Sequence, residues 1–291
     1  MRILVGTLYT IENEFEECCR SIQQQSHQDF EHFVIRNKPN KEAHDELYRT
    51  FMNRADEFDL FAKVDADMVI HDKELFTKII QKFSENENME MLTVKVSDFF
   101  TGKLMHGMHV FRSSVRWVPD NENVFVDPVP VDKHKQYKAH DLEGKVTHCE
   151  NPSPLQAFRF GLHRAIKLLS AIESSNEIQI LKQTQNIRST WRHFRKTLDQ
   201  RQGLACIAME LVLSGHIDFR QQNYADATAE RLLQQYQNFS APELIGACQE
   251  LHVRHLACWR FAKYVQVLVK NTPTSIWRRL VNGRVLGVLM A

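Results

Sequence analysis

The sequence of 291 residues lacks the features that would assign it at once to a membrane, secreted or disulfide-stabilised class. It has no run of about 18 apolar residues, so we expect no transmembrane helix. Residues 1–6 enter a strand-like run without the long apolar segment and cleavage site of a secretory signal. The six cysteines have no C-x-x-C spacing, which is typical of free thiols in a reducing compartment. We therefore expect a cytoplasmic protein.

A strong charge of one sign is also missing. Lys and Arg number 37 against 36 Asp and Glu, which gives a formal net charge of +1. This balance argues against nucleic acid or another bulk polyanion as the partner. The hydrophobic share of 43% and the charged share of 25% are ordinary for a globular protein. Length alone allows one large domain or two modest ones.

The first part of the chain alternates strand-like and helix-like segments. Repeated strand–helix–strand units favour an α/β fold with a mainly parallel sheet and right-handed crossovers. In such sheets ligands bind beyond the carboxyl ends of the strands. Apolar runs and helical spacing predict strands at 3–8, 33–35, into Asp65, at 91–96 and near 107–112 and 145–149, with helices at 12–25, 41–57 and around 75–83.

From residue 155 onward the chain is rich in Leu, Gln, Arg and Ala and almost free of strand signals. A boundary near 151–154 divides the chain into an α/β catalytic domain at 1–154 and a helical C-terminal region at 155–291. The helices could instead pack on the sheet without forming an independent unit. They are predicted at 155–173, 176–198, 203–213, 224–237, 241–250 and 251–270, with a short one after Pro273.

The most informative stretch is residues 58–70, an apolar run that leads into two carboxylates, Asp65 and Asp67. Alternation along a strand sends both side chains to the same face. There, like charges repel unless a cation lies between them or one is protonated. Mg²⁺ and Mn²⁺ suit carboxylate oxygens and often share them with substrate phosphates. The pair indicates a site for a metal-bound diphosphate, although a solvated turn would give the same pattern.

Several motifs around this pair occur in an order that resembles the opening of family 2 glycosyltransferases. The resemblance covers residues 1–83 and implies a GT-A fold, which is Rossmann-like with a mainly parallel sheet and flanking helices. The motifs are residues 6–10 (GTLYT), 16–18 (EEC), 21–22 (SI), 25–27 (QSH) and 29–35 (DFEHFVI), followed by the D-x-D pair. Further on, residues 153–161 are similar to the family's turn into a helix beneath the donor site.

The resemblance also implies roles for single residues. Asp67 would ligate Mn²⁺ or Mg²⁺ directly, Asp65 would reach the metal through water or contact the ribose, and His148 would add a metal or diphosphate contact. The nucleotide-sugar would be held by Thr7, Tyr9, Glu12, Arg36, Asn37, Lys63 and Asp65. Turn and helix-start chemistry equally accounts for residues 7–12, a buried stem for Lys63, and a strand cap for His148.

The catalytic base is expected among the acids of a proline-rich loop. An acceptor hydroxyl must lose its proton as it attacks, and a carboxylate within hydrogen-bond reach accepts it. The resemblance points to Asp127 and Glu122, with Asp120 behind them. The sequence has Glu122-Asn123 where the family has a Glu-Asp pair. All three could also be ordinary loop acids.

Basic segments and a histidine pair complete the candidate features. Anionic lipid head groups could bind the basic segments, giving peripheral contact with the inner face of the membrane, although a solvated face is the commoner role of such charges. His106 and His109 lack the fixed spacing of a zinc site and are predicted to line the acceptor side. The basic segments are Arg188, Trp191, Arg192, His193, Arg195, Lys196 and Arg201 in one helix, and residues 277–281 with Arg284, Val285 and Leu286.

These features predict a metal-dependent glycosyltransferase of the hexosyltransferase type, inverting by resemblance. It would move a sugar from a nucleotide diphosphate, first of all a UDP-sugar, to a glycan or lipid-linked acceptor in surface glycan assembly. One alternative is a sugar-phosphate nucleotidyltransferase, but its basic Gly-rich loop is absent from residues 7–12. Another is a non-catalytic glycan- or partner-binding module, against which the intact Asp65 and Asp67 argue.

Overall fold

The computed structural model describes residues 1–117, 139–218 and 227–256. Within these ranges the chain forms seven strands and eight helices, and the α/β class predicted from the sequence is confirmed. No helix in the described ranges is both long and apolar enough to cross a bilayer.

The seven strands form one mixed sheet with the order β2-β1-β3-β6-β5-β7-β4. Parallel pairs join β1 to β2, β1 to β3, and β5 to β7, whereas β3–β6, β5–β6 and β4–β7 are antiparallel. The strands are β1 Ile3–Tyr9, β2 Phe30–Arg36, β3 Leu60–Lys63, β4 Met68–Ile70, β5 Met91–Asp98, β6 Lys103–Arg112 and β7 Ala139–His148.

The prediction of a mainly parallel sheet is confirmed in part, because β1, β2, β3, β5 and β7 run in one direction. The sheet is nevertheless mixed, because β4 and β6 run the opposite way and β5 and β6 form a hairpin. Only residues 99–102 connect them, and a connection that short permits antiparallel pairing alone. Gly102 ends this turn with φ 62°, a backbone conformation that costs glycine little. Since β6 lies between β3 and β5 and is antiparallel to both, it separates two groups of strands that run in the same direction.

Within the described residues the helices follow the predicted pattern, with one correction; residues 224–226, residues 257–270 and the short helix predicted after Pro273 lie outside the described ranges. Predicted helices at 241–250 and 251–270 are continuous across residues 250 and 251, because no glycine, proline or capping residue interrupts that stretch. They are α1 Phe15–Gln23, α2 Asn40–Asn53, α3 Leu75–Glu85, α4 Pro154–Glu173, α5 Glu177–Thr197, α6 Gln200–Leu213, α7 Ala227–Tyr236 and α8 Ala241–Leu256.

Helices cover both faces of the sheet because its strands are apolar on both sides. Ile3 and Val5 belong to one buried cluster, which includes side chains from α1 and α3. Leu4 points the other way, into a second cluster with Leu47 and Phe51 of α2. The alternation of side chains along β1 therefore fixes a three-layer arrangement around the central strands.

The helices after residue 153 have their own apolar core but are attached to the sheet. A separate buried cluster is formed by side chains of α4, α5, α6, α7 and α8. A smaller cluster of Phe100, Cys149, Ala157 and Ala205 joins the two regions. Gln202 Nε2 also donates to the carbonyl oxygen of Phe99 at 2.9 Å. The helical region thus packs on the end of the sheet where β5 and β7 finish.

Helices α4 and α6 approach closely at Gly161. A β-carbon added there would lie 2.1 Å from the carbonyl oxygen of Ala205, which is backbone and cannot move aside. Gly246 on α8 is a natural control, because nothing lies within 4 Å of a β-carbon added at that position.

We therefore expect Gly161→Ala to lower the free energy of unfolding by about 1–3 kcal/mol through overpacking. Gly246→Ala should raise it by up to about 1 kcal/mol, because alanine has the higher helix propensity. Urea unfolding followed by circular dichroism measures both. Equal effects of the two substitutions would contradict this packing of α4 against α6.

Candidate metal and nucleotide site

A cavity of about 610 Å³ lies at the carboxyl ends of β1, β2 and β3. Its walls come from the residues after these strands, from β6, from the end of β7 and from the first turns of α2 and α4. This is where ligands bind in sheets with parallel strands. Four cationic side chains, three acids and five histidines line it, so the cavity is suited to a polar, charged ligand.

Asp65 and Asp67 both line this cavity, but not through strand alternation. Strand β3 ends at Lys63 and β4 begins at Met68, so the pair lies in the connection between them. Met68 N donates to the carbonyl oxygen of Asp65 at 2.9 Å, which closes a tight turn. The predicted strand geometry of the pair is therefore corrected to a turn that carries both carboxylates.

The two carboxylates have different partners. Lys63 is buried, and its Nζ lies 2.7 Å from Oδ1 of Asp65 and 3.1 Å from Oδ2. This bidentate ion pair balances the charge of Asp65 within the protein. The sequence predicts a nucleotide-sugar contact for Lys63, whereas in this structure its ammonium group is directed at Asp65.

Asp67 belongs to a compact cluster with His148 and Cys149. Asp67 Oδ2 lies 3.4 Å from His148 Nε2 and accepts a hydrogen bond from Cys149 Sγ at 3.0 Å. Cys149 Sγ is 3.7 Å from His148 Nε2. All three potential ligand atoms lie within 4.8 Å of one another, so a single metal ion could contact them together.

The sheet brings these residues together although they are far apart in sequence. Met68 pairs with His148 in the antiparallel β4–β7 ladder, and Asp98 pairs with His148 in the parallel β5–β7 ladder. Cys149 N donates to the carbonyl oxygen of Asp67 at 2.8 Å. His148 is thus held between two neighbouring strands, with a carboxylate on each side.

His148 is tied most tightly to Asp98. Its Nδ1 lies 2.7 Å from Asp98 Oδ1, and the Asp98 side chain is fully buried. Oδ2 of Asp98 accepts hydrogen bonds from the Thr101 backbone at 2.7 Å and from the Thr101 hydroxyl at 2.6 Å. Asp98 therefore fixes the orientation of the imidazole ring.

The charges of the cluster follow from these contacts. Burial alone would lower the pKa of His148, but the carboxylates of Asp67 and Asp98 raise it to about 9. Burial works against ionisation of Asp98 too, yet hydrogen bonding and the charge of His148 keep the pKa of Asp98 below its usual value. Burial raises the pKa of the Cys149 thiol well above 9, so Sγ is protonated and donates to Asp67.

Asp67 has one oxygen whose hydrogen-bonding capacity is not used. Within the described part of the chain, no donor reaches its buried Oδ1 atom. Burial raises the pKa of the Asp67 carboxyl group, against the attraction of His148. A buried polar atom without a partner is costly and is commonly explained by an ion or water at that point. The orphan oxygen therefore marks Asp67 as the candidate ligand of a cation.

The predicted nucleotide contacts divide into two groups. Tyr9, Glu12 and Asn37 line the cavity, with Glu12 accepting hydrogen bonds from the backbone of Thr10 at 2.7 Å and Ile11 at 3.0 Å. The other two predicted contacts do not form its wall. Thr7 is fully buried and its hydroxyl lies 3.0 Å from His32 Nε2, and Arg36 stacks on the Tyr9 and Phe15 rings.

Of the remaining predicted residues, some lie outside the described ranges, some line the cavity and one lies on a different helix from the one predicted. Glu122, Asp127 and Asp120 lie outside the described residues, as does the basic segment that starts at Trp277. His106 and His109 line the cavity. Arg201 does not belong to the basic helix α5, because Leu198 in the left-handed conformation ends that helix; Arg201 lies on α6 and pairs with Asp199 at 2.9 Å.

Sequence reasoning missed four residues that shape the site: Asp98, Cys149, Arg159 and Arg164. Cys149 directly follows His148, but a single cysteine has no spacing signal. Arg159 and Arg164 lie on α4, which begins with a capping box between Ser153 and Gln156. Gln156 Nε2 also donates to Glu14 Oε2 at 2.9 Å, which ties α4 to the start of α1.

Comparisons with known proteins add little to this geometry. No protein-family model matches the sequence, and no curated protein matches it. Among solved structures, A197 from STIV is similar to this chain with 13% sequence identity and a TM-score of 0.31. The alignment covers 38% of this chain and 65% of the length of A197. A likeness this weak supports no conclusion about fold or function.

The charge state of His148 is directly testable. In metal-free protein we expect the imidazole to titrate near pH 9 in an NMR titration, and Asp98→Asn to lower that pKa, because the nearest carboxylate charge is removed. Asp45→Asn, a partly exposed acid paired with Lys41 on α2, is the control. An unchanged His148 pKa in Asp98→Asn would contradict the assignment.

The raised pKa of His148 also determines how the free energy of unfolding changes with pH. The ordinary pKa of histidine is 6.5, and that of folded His148 is about 9, so its stabilising contribution is complete below pH 6.5 and is lost as pH rises towards 9. The free energy of unfolding should therefore fall more steeply over this window in the wild type than in Asp98→Asn. Urea titrations at several pH values, with a chelator present, measure the difference between the two slopes.

Proposed function

We propose that the protein is a metal-dependent glycosyltransferase that uses a nucleotide-diphosphate sugar as its donor. The observation that carries this proposal is the cluster of Asp67, His148 and Cys149 at the carboxyl ends of the parallel strands, in which Oδ1 of Asp67 is buried and has no donor among the described residues. A divalent cation bound there would lie in the same cavity as the residues that follow β1 and β2. The resemblance of residues 1–83 to family 2 glycosyltransferases supports the same reading.

The cavity has the size and charge that such a donor needs. Its volume falls in the range of about 300–1,000 Å³ that is usual for small-molecule sites. Arg159 and Arg164 of α4 and Lys38 after β2 line it. Arg159 also lies 3.8 Å from Glu230, and Lys38 pairs with Glu46. Arginine and lysine side chains bind phosphate groups well. They support the binding of a diphosphate, with a UDP-sugar as the first donor class to examine.

Different residues would carry out the different parts of the reaction. A cation bound at Asp67 would supply the Lewis-acid charge that stabilises a departing diphosphate. Arg159 and Arg164 add positive charge on the α4 side of the cavity, and the Lys63–Asp65 pair keeps the turn rigid. The acceptor, a glycan or lipid-linked hydroxyl, loses its proton to a carboxylate, for which Asp127 and Glu122 remain the candidates.

The first test replaces Asp67 with the isosteric amide. Asp67→Asn should reduce release of nucleoside diphosphate by about 100-fold or more, because the cation loses its charged ligand. The assay is a panel of UDP-, GDP- and dTDP-sugars, with a CMP-sugar scored by release of CMP, in the presence of Mn²⁺, Mg²⁺ or Zn²⁺, and Asp45→Asn is the matched control. Full turnover by Asp67→Asn would contradict the proposal.

Other outcomes of the same assay separate the alternatives. Pyrophosphate release from a nucleoside triphosphate and a sugar phosphate would identify a nucleotidyltransferase. Binding of a sugar nucleotide without metal-dependent hydrolysis or transfer would identify a non-catalytic binding module.

The second test concerns the base. Asp127→Asn and Glu122→Gln are assayed separately with an acceptor present, and we expect one of them to reduce transfer by roughly 100- to 10,000-fold while donor binding is retained. Near-normal turnover in both variants would remove these two acids from consideration.

A further inference from the structure

We propose that Cys149 completes a three-ligand centre with Asp67 and His148 that selects a thiophilic divalent ion of the zinc type. The inference rests on the proposed function, because it names the class of ion used at that site. It departs from the Mn²⁺ or Mg²⁺ expected from the D-x-D pair, and it brings in a sulfur ligand that the pair does not contain.

The spacing of the three atoms fits one tetrahedral ion. With metal–ligand distances of about 2.0 Å to oxygen or nitrogen and about 2.3 Å to sulfur, tetrahedral edges measure roughly 3.3 Å between O and N and roughly 3.5 Å from S to either. The corresponding separations are 3.4 Å from Asp67 Oδ2 to His148 Nε2, and 3.0 Å and 3.7 Å from Cys149 Sγ to these atoms. Ion binding therefore requires shifts of no more than a few tenths of an ångström.

The surroundings of His148 match those of a metal-binding imidazole. Such a histidine generally directs its second ring nitrogen to a carboxylate, which fixes the ring and strengthens the ligand. His148 points Nδ1 at Asp98 at 2.7 Å and leaves Nε2 facing Asp67 and Cys149. Asp98 is held in turn by two hydrogen bonds from Thr101. Asp98 is thus a positioning residue for the centre.

Cys149 is one of four non-glycine residues in the described chain that have a left-handed backbone, and of these four only Cys149 lies in the candidate metal cluster. Its backbone has φ 53°, a conformation that favours glycine over any residue with a β-carbon. Strain of this kind concentrates at functional sites. Its thiol donates a hydrogen bond to Asp67 Oδ2, so a proton now lies between two of the atoms that would bind the ion. Metal binding requires that Sγ give up this proton and that protonated His148 give up the one on Nε2, both to solvent.

The ligand set discriminates between metals. Thiolate and imidazole favour Zn²⁺ and its neighbours such as Co²⁺, whereas Mg²⁺ prefers oxygen ligands and octahedral geometry. Three protein ligands leave at least one coordination position open, as in catalytic zinc sites. Because Asp67 and His148 line the cavity, that position is available to a diphosphate oxygen or to water.

Cobalt substitution tests the centre in the full-length protein, with a readout other than activity. Wild-type protein loaded with Co²⁺ should show a sulfur-to-cobalt charge-transfer band in the near ultraviolet. It should also show the intense visible absorption of tetrahedral cobalt. Cys149→Ser should lose the charge-transfer band and bind Zn²⁺ on the order of 100-fold more weakly. Cys19→Ser, on α1 and outside the cavity, should behave as the wild type.

A second variant tests whether Asp98 positions His148 for metal binding. Asp98→Asn should weaken Zn²⁺ binding by about 10- to 100-fold, while the charge-transfer band is retained at saturating Co²⁺. Circular dichroism and melting temperature establish that each variant is folded. If Cys149→Ser does not fold, the wild-type cobalt spectrum still tests the centre, because absence of the charge-transfer band would overturn it.

The inference and the proposed function fail in different ways. Wild-type protein that gives no charge-transfer band, or that binds Mg²⁺ as tightly as Zn²⁺, overturns the three-ligand centre, while Mn²⁺-dependent turnover of a sugar nucleotide would leave the glycosyltransferase proposal intact. A cobalt–thiolate spectrum in a protein that turns over no sugar nucleotide supports the centre and overturns the proposed activity.

Discussion

The candidate site depends on the pairing of a three-residue strand with the end of a ten-residue strand. Met68, Val69 and Ile70 of β4 pair with residues 146–148 of β7, and the ladder is extended by the hydrogen bond from Cys149 N to the carbonyl of Asp67. A change of register by one residue would turn every side chain of β4 to the opposite face of the sheet. The burial of Met68 and Ile70 in the core opposes such a change and so keeps Asp67 beside His148.

The site also shows how three carboxylates can lie close to one another inside a protein. Asp65 is balanced by Lys63, and Asp98 is balanced by His148 and Thr101. Asp67 shares His148 but, within the described residues, keeps one oxygen without a donor. Asp65 and Asp98 thus have charged partners while Asp67 is left incomplete, which is the asymmetry expected of a binding position rather than of a structural ion-pair network.

Much of the fold was predictable because local patterns determine it. Apolar runs located the strands and helical spacing located the helices, and the D-x-D pair was expected at a strand end that faces a ligand. The mixed sheet was not predictable, because the hairpin at 99–102 is only visible once β5 and β6 are known to pair. Asp98 was missed for a similar reason: it meets His148 across a parallel ladder that joins residues 50 positions apart. Cys149 carries no signal at all until its neighbours in space are known.

The left-handed backbone at Cys149 has a consequence for how this chain would change under selection. Glycine would relieve the backbone strain there, at the cost of the packing of the thiol against Phe100, Ala157 and Ala205. A library of random variants screened for folding alone should therefore not be confined to cysteine at this position. A library screened for what the cavity does should retain it, so the residue recovered at position 149 reports which property was selected.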